Sequence, residues 1–225
     1  MNPFLQPRQL ILEHICVACE AVGRHPQTVE LLAVSKTQSK ECIQAMFEAG
    51  QRSFGENYLQ EALTKIEALS ALGLDWHFIG HVQRNKTKQI AENFAWVHGV
   101  DRLIIAERLA KQRPEHLPPI NVCIQVNIDH QESKDGCLPD DVALLVQQIS
   151  RLVGIRLRGL MVIPAPHNTA AFVQAKQLFD AVKLQHAHPQ DWDTLSMGMS
   201  GDLTEAVHAG STMVRVGTAL FGARS

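Results

Sequence analysis

No stretch of the 225 residues stays apolar long enough to cross a bilayer as a helix. The opening residues, Met1 to Gln9, lack the basic segment and apolar core of a secretory signal. Lysine and arginine never cluster. The 21 basic and 23 acidic residues leave a net charge of −2, which points away from nucleic acid as a partner. Cysteine is sparse and odd in number: Cys16, Cys19, Cys42, Cys123 and Cys137 suit a reducing cytoplasm better than a disulfide framework. Cys16 and Cys19 do form a C-x-x-C, but they lie in an apolar helical run and no second pair follows. They read as residues of a helix face. Domain linkers, internal repeats and low-complexity segments are also missing.

What remains is ordinary globular material. At 45% hydrophobic and 20% charged, the chain can bury a sizeable core. Short apolar runs alternate with amphipathic ones. Strands are expected at Val29 to Ser35, Arg52 to Gly55, Leu74 to Ile79, Phe94 to Val97, Ile120 to Ile128, Leu157 to Ile163, Thr194 to Met197 and Met213 to Val216. An opening helix is expected over Leu10 to Val22. Others follow at Ser39 to Glu48, Tyr58 to Leu69, Gln83 to Glu92, Arg102 to Lys111, Asp140 to Leu152, Thr169 to Leu184 and Leu203 to Ala209. Eight strands alternating with helices predict the α/β class. The expected architecture is a single (β/α)8 TIM-type barrel spanning 1–225, with an extra N-terminal helix; an open doubly wound sheet is the alternative.

In such a barrel chemistry belongs at the C-terminal strand ends. Lys36 follows the first strand directly, where a partly desolvated amine could serve as a nucleophile. Ser196 to Gly201 and Gly217-Thr218 are glycine- and hydroxyl-rich and lead into helices. Free backbone N–H groups there suit a phosphate. With Arg215 on the last strand, this combination fits an aldehyde-bearing phosphate ester, held by Lys36 as a Schiff base, better than it fits a metal.

These segments also carry a resemblance. Leu32-Ala33-Val34-Ser35-Lys36-Thr37, Phe54-Gly55-Glu56-Asn57-Tyr58, Trp76-His77-Phe78-Ile79-Gly80, Gly159-Leu160-Met161, Leu195-Ser196-Met197-Gly198-Met199-Ser200 and Val214 to Gly222 occur in order along the chain. Together they resemble the YggS/PROSC-type proteins of pyridoxal 5′-phosphate (PLP) homeostasis. The resemblance implies PLP as cofactor in a barrel like the N-terminal domain of alanine racemase. It implies Lys36 as the Schiff-base lysine, with Ser196, Ser200, Gly217 and Thr218 at the phosphate. Arg215 would stand near the pyridine nitrogen, and Asn57 and Met161 would line the ring. The pattern departs from the family after Gly80, where His81 and Arg84 precede Asn85-Lys86. Lys134, in a family-like loop, reads as a solvated lysine or a transient second PLP contact.

The implied role is buffering and delivery of PLP, with apo PLP-dependent enzymes as transient partners and no membrane. An arginine at the ring nitrogen weakens the electron sink that many PLP enzymes rely on. The related racemases take a tyrosine from a second domain across a dimer. Here the one tyrosine, Tyr58, opens a helix, and a monomer is expected. His77 is the nearest alternative base, although a satisfied core histidine is the commoner case. A PLP-dependent racemase-like enzyme, a lysine Schiff-base aldolase using Glu56, and a non-catalytic interaction protein are the competing readings.

Overall fold

The computed structural model describes residues 2–222. Eight parallel strands close into one barrel in chain order: β1 (Glu30–Val34), β2 (Ser53–Glu56), β3 (Asp75–Phe78), β4 (Trp96–Val100), β5 (Ile120–Val126), β6 (Ile155–Val162), β7 (Thr194–Ser196) and β8 (Met213–Val216). The seam pairs β8 with β1, from Glu30 opposite Met213 to Ala33 opposite Val216. Parallel neighbours cannot be joined by tight turns, so each crossover carries a helix on the outside. These are α2 (Lys40–Glu48), α3 (Leu59–Ala68), α4 (Thr87–Asn93), α5 (Leu103–Gln112), α6 (Val142–Ile149), α7 (Ala170–Val182) and α8 (Leu203–His208). The expected barrel, not the open sheet, is the fold.

The extra N-terminal helix, α1 (Leu5–Glu20), packs on α8 and the short α9 (Thr218–Phe221), and Phe4 meets the Phe221 ring edge-on at 5.6 Å. Ile11, Ile15, Ala18 and Cys19 form its buried stripe. Cys16 is on the same helix and its thiol donates to Glu20 Oε1, as a helix-face residue would. All five cysteines are free.

The main core lies between the strands and the helices, with Phe54, Phe94, Ile105, Leu109, Ile124 and Phe172 fully or almost fully buried. Each such side chain contributes about 1.5–3 kcal/mol through burial. Ser39 caps α2 as its sequence position suggested, its side chain accepting from the Cys42 amide.

Several bounds depart from expectation, α1 beginning at Leu5 rather than Leu10 and α6 spanning Val142–Ile149 rather than Asp140 to Leu152; two further departures bear on the site. β4 runs over Trp96–Val100 rather than Phe94 to Val97. His98 and Gly99 break the apolar pattern because this strand turns a polar side chain into the barrel. Helix α4 begins at Thr87 rather than Gln83, since residues 83–86 form a turn closed by the Lys86 amide on the Gln83 carbonyl.

Candidate functional site

A cavity of about 340 Å³ opens at the C-terminal mouth of the barrel. That is within the usual range for small-molecule sites, roughly 300–1,000 Å³. Six of the expected residues line it: Lys36, Asn57, Ser200, Arg215, Gly217 and Thr218. Val34, Ile79, Ile163 and Met199 complete an apolar wall that the sequence reading did not single out. Each of these four stands at or just past the end of a strand, or in the loop beyond it, and that position was the available signal.

Lys36 sits in a tight turn after β1. The Gln38 amide donates to the Ser35 carbonyl at 3.0 Å, and Thr37 takes a positive φ of 66°. Glycine is the usual residue at such a position. On the far side, the β7–α8 loop is bound to β8 by the Arg215 amide on the Gly198 carbonyl. Gly198 has φ +93°, and a Cβ there would lie 2.5 Å from Ala206 Cβ, so only glycine lets α8 pack this close. Ser200 and Thr218 are exposed residues that line the cavity. At the start of α9, helix geometry leaves the Thr218 and Ala219 amides without intrahelical acceptors.

Ser196 and Met161 stand apart from the other expected residues. Both are buried, pair with one another across β6 and β7, and do not line the cavity. The Ser196 hydroxyl is occupied beneath the floor. It accepts from Arg215 Nη1 at 2.8 Å and lies 3.2 Å from His98 Nδ1. Arg215 also donates to the Ser196 and Val162 carbonyls, at 2.8 and 2.9 Å. Burial lowers its pKa to about 10, which leaves it a cation at neutral pH. The guanidinium is therefore a fixed positive donor facing the cavity.

The other acid–base candidates are elsewhere. The Glu56 carboxylate is buried below, taking Ser35 Oγ at 2.6 Å and Lys65 Nζ at 2.8 Å, and burial raises its pKa against those partners. Glu56 does not line the cavity that Lys36 enters. His77 is buried too; its Nδ1 meets His98, but its Nε2 has no partner, so it is only half satisfied. Tyr58 is 56% exposed and lines the adjoining cavity with His81 and Lys86 rather than this one. Lys134 is partly exposed but tethered: it donates to Asp129 Oδ2 and to the Ile163 carbonyl, both at 2.9 Å. The departures at His81 and Arg84 have local roles. His81 Nδ1 lies 3.0 Å from Asp135, and the Arg84 carbonyl accepts from Arg108.

Among the described residues lining the cavity there is one lysine, one arginine and no carboxylate. Asn57 adds a buried Oδ1 without a protein partner. This donor-rich set fits a small ring compound that carries a phosphate.

Comparison with known proteins agrees. Residues 17–225 match the family described as alanine racemase, N-terminal domain. A pyridoxal phosphate homeostasis protein of Pseudomonas aeruginosa is 53% identical over 212 residues, covering 92% of this chain and 90% of the relative. One from Escherichia coli K12 is 46% identical over 232 residues, covering 100% and 98%. PipY of Synechococcus elongatus, solved with PLP bound, superposes with a TM-score of 0.79 at 36% identity, over 92% of this chain and 100% of that one. An alanine racemase from Corynebacterium glutamicum shares the fold at 15% identity and a TM-score of 0.68, this chain spanning 61% of it. The chain thus belongs to the alanine racemase N-terminal domain family, among its pyridoxal phosphate homeostasis proteins.

Proposed function

We propose that this protein binds PLP in the barrel-mouth cavity, attached to Lys36 as a Schiff base, and buffers and delivers it within the cell. The reading rests on one juxtaposition: Lys36 and Arg215 meet in a cavity with no carboxylate among its described lining residues, and the exposed Ser200 and Thr218 line it as well. PLP supplies an aldehyde carbon and a phosphate dianion. Lys36 provides the amine; Ser200, Gly217 and Thr218 hold the phosphate; Arg215 faces the ring nitrogen; Asn57 borders the ring. Ser196 and Met161 act from below, Ser196 by holding Arg215.

A carrier role is favoured over catalysis. Apart from Lys36 and Arg215, no described residue lining the cavity carries an ionisable side chain. Glu56 and His77 are sealed beneath, and Tyr58 lines the neighbouring cavity. The protein acts as a monomer in the cytoplasm and meets apo PLP-dependent enzymes transiently. Among the described residues no helix is long and apolar enough to cross a membrane.

The test is absorbance of wild type and Lys36→Ala with added PLP. Wild type should develop an imine band that borohydride discharges, leaving a reduced adduct on the Lys36 peptide; the variant should develop none. Absence of the band in wild type with excess PLP would remove the attachment.

A further inference from the structure

The backbone on both sides of Lys36 is gripped by two side chains of α3, Lys65 and Glu61. Lys65 is only 6% exposed, unusual for a lysine. Its Nζ donates to the Ser35 carbonyl at 2.8 Å and to Glu56 Oε1 at 2.8 Å, and it pairs with Glu61 one helical turn back. Glu61 Oε1 also accepts the Thr37 amide at 2.6 Å. The residue before Lys36 is thus held through its carbonyl and the residue after it through its N–H, by two side chains bonded to each other. Ser35 adds a third tie through its hydroxyl on Glu56.

Two observations make this more than general packing. Thr37, whose amide is the second tie, is a β-branched residue at φ +66°, a conformation that surrounding structure must impose. Secondly, Lys65, Glu61 and Glu56 do not line the cavity, so none is placed to touch a ligand. Their bonds converge instead on the turn that carries Lys36. A buried ion pair adds little net stability, because desolvation offsets much of its attraction.

We propose that Lys65 and Glu61 form a clamp that fixes the Ser35–Lys36–Thr37 turn and so holds the Lys36 amine in position for attachment. Both are positioning residues. The proposal rests on Lys36 being the attachment point. Without the clamp, Thr37 relaxes from the left-handed region and the Lys36 side chain enters the cavity in many orientations. Displacements of this kind slow bond formation by roughly tenfold to a hundredfold.

Lys65→Met, Glu61→Met and Glu61→Gln test this, with Lys36→Ala as the blank. Two quantities are read: amide hydrogen exchange at Thr37 without PLP, and the rate at which the imine band grows once PLP is added. Glu61→Gln keeps an oxygen acceptor for Thr37 and should behave close to wild type in both. Lys65→Met and Glu61→Met should expose the Thr37 amide to exchange and slow the band about tenfold or more. If Lys65→Met fails to fold, Glu61→Met decides, since Glu61 is at the partly exposed end of the cluster. Folded Glu61→Met with a protected Thr37 amide and a wild-type rate overturns the clamp. Absence of any band in wild type sinks the attachment at Lys36 instead, a distinct outcome.

Discussion

His77 and His98 face one another inside the barrel, Nδ1 to Nε2, at 3.0 Å. Trp96 stacks flat on His77, with ring centroids 5.2 Å apart and 6° between the planes. The line continues from His98 to Ser196 and on to Arg215, so it joins β3, β4, β7 and β8 across the barrel interior. Burial pushes His77 down to about 3. His98 is also driven well below its ordinary value by burial, then by the charges of His77 and Arg215. At neutral pH both rings are uncharged, one nitrogen of each facing pair carrying the proton.

Stability should therefore fall as the solution is acidified. Below about pH 6.5 an unfolded chain protonates both imidazoles, while the native rings stay neutral. The unfolded state then binds more protons, and stability drops with pH. Each buried histidine should cost about 2 kcal/mol at pH 5 relative to pH 7. Urea unfolding at the two pH values measures the difference, and His98→Gln should shrink it. An identical drop in wild type and variant would contradict the neutral pair.

Ser196→Ala separates two roles for that hydroxyl. As the acceptor under Arg215, its loss leaves a buried guanidinium one partner short, at about 1–3 kcal/mol. PLP affinity should fall alongside, because Arg215 is no longer held. Chemical unfolding and a PLP titration of the same variant give both numbers. Weaker PLP binding with unchanged stability would instead mean that Ser196 touches the phosphate directly.

The contrast between Lys36 and Lys65 shows how far the sequence could be read. Lys36 is legible because it ends an apolar strand, and in a barrel that position is the mouth. Lys65 lies on an amphipathic helix, where a lysine is by default a surface charge; only the approach of α3 to the β1 turn buries it. His98 is hidden for a related reason. A polar residue inside a barrel interrupts the alternation that marks a strand, so the apolar pattern points to Phe94 to Val97, starting two residues early and ending just before His98. Ser196 was legible as a strand-end hydroxyl, but its height within the strand decides whether it faces a ligand or an arginine, and height depends on register. The barrel itself came through clearly, since eight apolar runs separated by helices leave few other closures.

Lys134 invites a second use as a PLP contact, and its bonds predict otherwise. It joins Asp129, which also takes the Ala165 amide and Asn168, to the carbonyl of Ile163 in the cavity wall. Lys134→Met should therefore loosen the two loops and cost about 1–3 kcal/mol. PLP should still bind at one site per chain. Thermal melting and a PLP titration read these together. A lost second binding event with unchanged melting would restore the direct contact.

Gly80 sets the distance between the β2 and β3 loops. A Cβ at this position would sit 2.2 Å from the Asn57 carbonyl oxygen and 3.0 Å from Asn57 Cα. These are backbone atoms, so no side-chain rotation relieves the clash. Gly80→Ala must push Asn57 away, and Asn57 lines both the barrel-mouth cavity and its neighbour. The strain should cost about 1–3 kcal/mol, as other overpacking substitutions do. Displacing Asn57 should also weaken PLP binding, whereas Gly201→Ala, where a Cβ meets open space, should leave stability near wild type. Unfolding midpoints of the two variants, with PLP titrations of each, test the pair. A Gly80→Ala protein as stable and as tightly binding as wild type would show that the β2 loop moves freely and does not define the cavity.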